Sequence, residues 1–318
     1  MPDAKVVKLD ANDPHVIAAR DAEKHLFDFY GLKVKTNYIT LPVYDIRIRI
    51  TEIGSGKPIV IVPGNTGDSF PLASLMAELK DRRLIILNRP GGGLSEGIDH
   101  RKLDFRKFAV LTINAVMDAF LLDKVPLIGH SIGGQWCLWM AMDKPERVSA
   151  VTTLGVPGNI ISTKPPFALR LLSVPGLSSM LFKLIVPKNP AGALKGLSFM
   201  GHSKETIESL PSAMSDCYYY FQQLPNFEIS SISLMQRGSL FNARREDRIN
   251  AEQLKLIRQT VMFLWGTHDP FGSVEIGKEI ADFIPLSEFH AIEGAGHLPW
   301  LDQPAECGKL ISHFFSNV

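Results

Sequence analysis

Val125-Pro-Leu-Ile-Gly-His-Ser-Ile-Gly-Gly134 is the stretch on which the reading of this chain turns, and it runs directly into Gln135-Trp-Cys-Leu-Trp-Met-Ala141. Its first residues form a short apolar run that suits a buried strand, and the segment after Gly134 reads as a helix. Between them, Gly129-His130-Ser131-Ile132-Gly133 supplies a sharp turn, because glycine lacks the Cβ that such a turn would crowd. A serine at the tip presents its hydroxyl beyond the sheet edge. The backbone N–H of Ile132, opening the helix, points toward whatever Ser131 attacks. The pentapeptide pattern alone also occurs by chance in glycine-containing loops; the strand before it and the helix after it give it weight.

Outward from this turn, strands and helices alternate. Pro58-Ile-Val-Ile-Val62 is a continuous apolar strand of the doubly buried kind, followed by Pro63-Gly64-Asn65-Thr66-Gly67. A helical stretch from Pro71 to Lys80 leads to a strand over Arg83 to Asn88 and the turn Arg89-Pro-Gly-Gly-Gly-Leu-Ser95. Phe105 to Leu122 is amphipathic, with Phe108, Leu111, Ile113, Val116, Phe120 and Leu121 near helical spacing. Upstream, Val34 to Leu41 and Tyr44 to Ile53 read as antiparallel strands. In the second, Ile46, Ile48 and Ile50 alternate with Arg47, Arg49 and Thr51, which predicts one wet face. Before them, Asp13 as N-cap, Pro14 at the first position and Gly31 as the stop predict a helix. Downstream, Ser149 to Leu154 and Val261 to Gly266 read as strands, then come helix Ser273 to Phe283 and strand Ser287 to Ile292. From about Asn159 to Arg258 the alternation stops. Helical pieces broken by prolines and rich in Leu, Phe, Met and Tyr take its place, and a segment of that length cannot be structureless inside a compact domain.

With these segments in view, the chain resembles the α/β-hydrolase fold family from about Val34 to its C-terminus. Gly129 to Gly133 matches the family's nucleophile elbow, and Gly294-Ala-Gly-His297 closely matches its histidine loop after the last strand. The resemblance implies an α/β fold, a mostly parallel central sheet with helices on both faces, and an inserted helical cap over the elbow. It divides the chain into an N-terminal helical extension (1–32), a core (33–158 and 259–318) and the cap (159–258). It assigns Ser131 as nucleophile, Asp269 as the acid and His297 as the base, in the family's chain order. The loop Gly155-Val-Pro-Gly158 holds no carboxylate, so the acid cannot follow that strand as it does in some relatives. The oxyanion donors implied are the N–H groups of Ile132 and Asn65. Pro63 departs from the family's usual histidine in that loop, and Asn88 replaces an aspartate in the turn after its strand. His130 and His268, adjoining Ser131 and Asp269, are expected to be packing or local hydrogen-bonding residues, His130 pointing away from the site.

Other readings are disfavoured residue by residue. Gly54-Ser-Gly-Lys57 imitates the end of a phosphate loop, but Thr51 stands where that motif needs glycine and a strand follows instead of a helix. A dinucleotide frame beginning at Gly91 needs glycine where Glu96 stands. Thirty-four basic against 33 acidic residues give a net charge of +1, so nothing points to nucleic acid. Three scattered cysteines, Cys137, Cys217 and Cys307, form no C-x-x-C pair and suggest a reducing compartment. The first residues contain no apolar h-region, and no run reaches the ~20 apolar residues that cross a bilayer. A cytoplasmic protein is therefore expected, its oligomeric state open.

The chemistry that these parts imply is acyl transfer without metal or organic cofactor. Relatives that open epoxides or displace halide carry aspartate at the elbow, and Ser131 argues against both. The expected activity is cleavage of a carboxylic ester, lactone or thioester of a partly apolar small molecule through an acyl-enzyme. Two alternatives stay open: carbon–carbon bond hydrolysis or cofactor-free perhydrolase (haloperoxidase) activity with the same triad, and a ligand receptor that keeps the triad but signals through its cap.

Overall fold

The computed structural model describes residues 4–238 and 244–316. The first three residues of the N-terminal extension, and 239–243 within the expected cap, lie outside the described residues. Eight strands form one sheet: β1 (Lys35–Leu41), β2 (Ile46–Ile53), β3 (Pro58–Val62), β4 (Arg83–Leu87), β5 (Val125–His130), β6 (Val148–Leu154), β7 (Thr260–Gly266) and β8 (Ser287–Ile292). Their order is β8-β7-β6-β5-β3-β4-β2-β1, and only β2 runs against its neighbours, pairing antiparallel with both β1 and β4. The parallel strands are the continuous apolar runs, as burial on both faces requires: Ile59 to Val62, Leu84 to Leu87 and Val261 to Trp265 are all buried. The helices around the sheet include α1 (Pro14–Phe29), α2 (Ala73–Glu78), α3 (Phe105–Ala119) and α4 (Ile132–Asp143). Two apolar clusters fill the spaces on either side of the sheet, one holding Phe105, Phe108, Trp136 and Trp265, the other Leu26, Phe70, Trp300 and Phe314.

Between β6 and β7 the alternation gives way to an inserted helical region. It comprises α5 (Phe167–Leu172), α6 (Ser178–Ile185), a long 3-10 turn (Pro190–Met200), α7 (Lys204–Ser209), α8 (Ser212–Phe221), α9 (Phe227–Gly238) and the short α10 (Ala251–Leu254). After β7 come α11 (Val274–Asp282), α12 (Pro299–Asp302) and α13 (Pro304–Phe314). Helix α1 begins as its sequence predicts, with the Asp13 carboxylate accepting from the His15 N–H and Gly31 taking a left-handed φ of 65° after its end.

Three local expectations are corrected. The wet face predicted for β2 is dry beyond Arg47: Arg49 is 4% exposed and Thr51 is fully buried. Helix α1 covers that face and supplies Glu23, whose carboxylate takes both terminal nitrogens of Arg49, while Thr51 bonds Ser69 and Asn88. Leu121, expected on the apolar stripe, is 93% exposed. Helix α3 ends at Ala119, and a φ of 54° at Leu121 turns the chain out of helical register. The stretch from Pro71 to Lys80 is a 3-10 turn over Phe70–Leu72 followed by a helix of only six residues.

Candidate active site

The elbow lies between β5 and α4. Ser131 sits at φ 52° and ψ −118°, a conformation that costs a residue with a Cβ about 1–3 kcal/mol and persists only where its surroundings enforce it. They do. Its N–H donates to the Leu154 carbonyl at 3.1 Å, and its own carbonyl accepts from Gly158 at 2.9 Å and Gln135 at 3.2 Å. Gly129 and Gly133 are required by space: a Cβ on Gly129 would meet the Gly133 carbonyl oxygen at 2.4 Å, and one on Gly133 would meet the Val62 oxygen at 2.0 Å. The helix can therefore start directly against β3 and β5, which leaves the first N–H of α4, that of Ile132, without a partner inside the helix.

Asp269 and His297 arrive from the ends of β7 and β8. His297 Nδ1 lies 2.7 Å from Asp269 Oδ2, which also accepts the Val156 N–H at 2.9 Å, while Oδ1 accepts the Phe271 N–H at 3.0 Å. An ionised carboxylate only accepts, so the imidazole proton on Nδ1 is fixed and Nε2 is left as the free ring nitrogen. Helix α11 is capped by Ser273, so Asp269 is not spent on helix capping. Both side chains are almost fully buried. Ser131 and His297 line one cavity of about 460 Å³, together with Ile132 and Asn65. Among the described residues, neither the Ile132 nor the Asn65 N–H finds an acceptor.

Several contributors were not legible in the sequence. Arg89, 1% exposed, donates to three successive carbonyls of the loop after β3: Pro63 at 3.1 Å, Gly64 at 2.6 Å and Asn65 at 3.1 Å. The turn that contains it thereby holds the backbone on which the Asn65 N–H depends. The Phe271 ring stacks on the His297 imidazole with centroids 4.3 Å apart. The loop bearing His297 is gripped from the inserted region: its N–H donates to the Met200 carbonyl at 2.8 Å, and His202 Nδ1 donates to Asp302 Oδ2 at 2.8 Å, which also accepts the Gly296 N–H. Burial works against the Asp302 charge, but the His202 and Gly296 bonds hold its pKa below the usual carboxylate value. His130 does not point away from the site as expected. Its Nε2 donates to the His297 carbonyl at 3.2 Å and its ring lies 5.0 Å from the His297 ring. His268 is exposed.

Among the described residues, no three His, Cys, Asp or Glu side chains gather closely enough to hold a metal ion, and no helix is long and apolar enough to cross a membrane. The three cysteines are free and buried.

Residues 57–304 match the model of the α/β hydrolase fold, and the chain belongs to that family. Its relatives include the uncharacterized hydrolase YugF of Bacillus subtilis (strain 168), 27% identical over 261 residues that cover 81% of this chain and 89% of that protein. A 2-hydroxy-6-oxononadienedioate/2-hydroxy-6-oxononatrienedioate hydrolase of Klebsiella pneumoniae is 24% identical over 298 residues, covering 86% of this chain and 92% of its own. Among solved structures, carboxylesterase CesB from Bacillus subtilis superposes with a TM-score of 0.75 at 15% identity, over 95% of this chain and 98% of that one. Esterases and carbon–carbon bond hydrolases thus both stand among the proteins it is similar to.

Proposed function

We propose that this protein hydrolyses carboxylic esters of partly apolar small molecules, lactones and thioesters being within the same chemistry, through an acyl-enzyme on Ser131. The observation that carries the reading is the Asp269–His297 pair at 2.7 Å, with His297 lining one cavity beside Ser131, Ile132 and Asn65. His297 Nε2 takes the Ser131 proton as Oγ attacks the carbonyl carbon. The oxyanion that forms is held by the Ile132 and Asn65 N–H groups, each worth about 3 kcal/mol of barrier. Collapse expels the alcohol with the proton from His297, and water then repeats the cycle to release the acid. Asp269 keeps the imidazole in its reactive tautomer. Residues 159–258 act as the cap over this site, and helix α1 of the N-terminal extension touches both layers: it covers β2 through Glu23 and lies along α8, while Phe70 contacts Tyr218 and Phe221 of α8. Carbon–carbon bond hydrolysis is the second reading, favoured by the relatives whose names carry that activity.

The test is turnover of a short p-nitrophenyl ester. Wild-type protein is expected to release p-nitrophenolate with saturation, and Ser131→Ala to lower kcat by at least about 10³-fold. A fluorophosphonate probe is expected to label Ser131 alone. Labelling or turnover unchanged in Ser131→Ala rejects the assignment, and turnover of a vinylogous 1,5-diketone acid in preference to every ester moves the reading to carbon–carbon cleavage.

A further inference from the structure

The cavity over Ser131 carries a charge pattern that acyl transfer alone does not use. Among the described residues, three cationic side chains line it, Lys164, Arg170 and Arg248, and no aspartate or glutamate does. The whole chain is nearly balanced, with 34 basic and 33 acidic residues, so a lining of one sign is a property of the site and not of the composition. Most of the remaining wall is apolar, including Val156, Leu197, Met235 and Phe271.

Backbone ties hold these cations to the catalytic elements. Gly158 donates to the Ser131 carbonyl at 2.9 Å, and the next residue, Asn159, accepts from the Ile249 N–H at 2.9 Å within a parallel bridge between Ile160 and Ile249. Gln135 of α4 donates to the Asp247 carbonyl at 2.5 Å, so the backbone is anchored on both sides of Arg248. Lys164 donates its N–H to the carbonyl of Phe271 at 3.2 Å, the residue stacked on His297. The neighbouring carboxylates are already engaged. Asp247 takes Arg237 Nε at 2.7 Å and Nη2 at 3.0 Å, Glu246 lies 3.6 Å from Arg244, and Asp269 holds His297. Among the described residues, neither Lys164 nor Arg248 has an ion-pair partner, and both are exposed. They keep their hydration and stay free to swing toward an anion, which costs far less than holding buried charges unpaired.

We infer that this lining selects anionic substrates: acyl compounds whose apolar chain ends in a carboxylate or comparable anion, held between Lys164 and Arg248 while the reacting carbonyl lies at Ser131. The position of that carbonyl rests on the acyl-transfer reading; the preference for negative charge belongs to the cavity itself. Because Lys164 and Arg248 are exposed and screened, the preference is modest, about tenfold for the pair.

Binding and turnover are measured separately on the full chain. Calorimetry compares hexanoic anilide with the monoanilide of adipic acid, a slowly hydrolysed pair that differs at the far end alone. Wild type is expected to bind the anionic anilide about tenfold more tightly, with the ratio shrinking as salt rises. The ratio should fall to near parity in Lys164→Gln/Arg248→Gln and survive in Arg248→Lys. Equal affinity for the pair in wild type, or a ratio untouched in the double variant, overturns the inference. Steady-state rates are then compared for p-nitrophenyl hexanoate and the mono-p-nitrophenyl ester of adipic acid. A preference for the anionic ester that tracks the binding ratio supports the inference, and preference for the neutral one overturns it. A binding preference with no turnover of either ester rejects acyl transfer alone and leaves the anion site standing.

Discussion

At Ser131, a residue with a Cβ is held at positive φ by hydrogen bonds to both its peptide groups, and the same economy of backbone recurs at Asn65. No side chain of the loop after β3 fixes where the Asn65 N–H points. Arg89 does, because its guanidinium donates to the Gly64 carbonyl of that same peptide and to the Asn65 carbonyl of the next. An oxyanion donor contributes only as charge develops on the substrate oxygen, so loosening it should show in kcat and much less in KM. Arg89→Met is expected to lower kcat for a p-nitrophenyl ester about 10- to 100-fold, with Arg89→Lys recovering part of the loss because an ammonium reaches some of the three carbonyls. If KM carries the whole effect in steady-state assays, Arg89 shapes substrate binding and not the oxyanion loop. The sequence could not single this residue out. A buried arginine whose hydrogen bonds all go to backbone carbonyls leaves no pattern of paired charges in the sequence, whereas Ser131, Asp269 and His297 each sit in a turn whose glycines and strand boundaries are visible in one dimension.

Among the elements, β2 shows where a periodic pattern stops being informative. The alternation of Ile46, Ile48 and Ile50 with Arg47, Arg49 and Thr51 gives a strand and its antiparallel pairing with β1. It cannot reveal that helix α1, whose Glu23 lies 26 residues before Arg49, dries the second face. Only the pairing of Glu23 with Arg49, both under 5% exposed, allows that burial, and Asp68 stands 3.8 Å away as a second acid. A charge left alone there is far more costly than the pair is favourable. Glu23→Ala is therefore expected to destabilise the protein by about 3–5 kcal/mol in urea unfolding, while Glu23→Leu/Arg49→Met, which buries no lone charge, should lose clearly less. A double variant as unstable as the single one would mean that helix α1 needs this ion pair for specific docking and not merely for charge balance. The helical insertion was legible in outline for the opposite reason: broken alternation and prolines mark it. Which of its residues grip the histidine loop was not, since His202 and Asp302 are a hundred positions apart.

For the whole molecule, burying polar groups around the sheet couples stability to pH. Burial, helped by the Arg89 guanidinium, pushes the His100 imidazole down to about 3, and burial with the neighbouring His297 ring holds His130 well below its ordinary 6.5. Both histidines are neutral when folded but take up protons near 6.5 when unfolded, so their contribution is complete above that pH and is lost as the pH falls. Asp68 acts the other way. Burial and then Glu23 push its carboxyl from 3.8 up to about 8, so the folded chain keeps a proton that the unfolded chain releases, and its contribution grows as the pH falls through that window. With two such histidines against one such carboxyl, the balance of these three groups is a loss of stability as the pH falls below about 6. Urea midpoints measured at half-unit steps should fall across this range, and His100→Asn, which keeps a polar group facing Ser233 but cannot titrate, should flatten the slope by about one proton. An unchanged slope in His100→Asn would show that the imidazole is already charged, or already exposed, in the native protein.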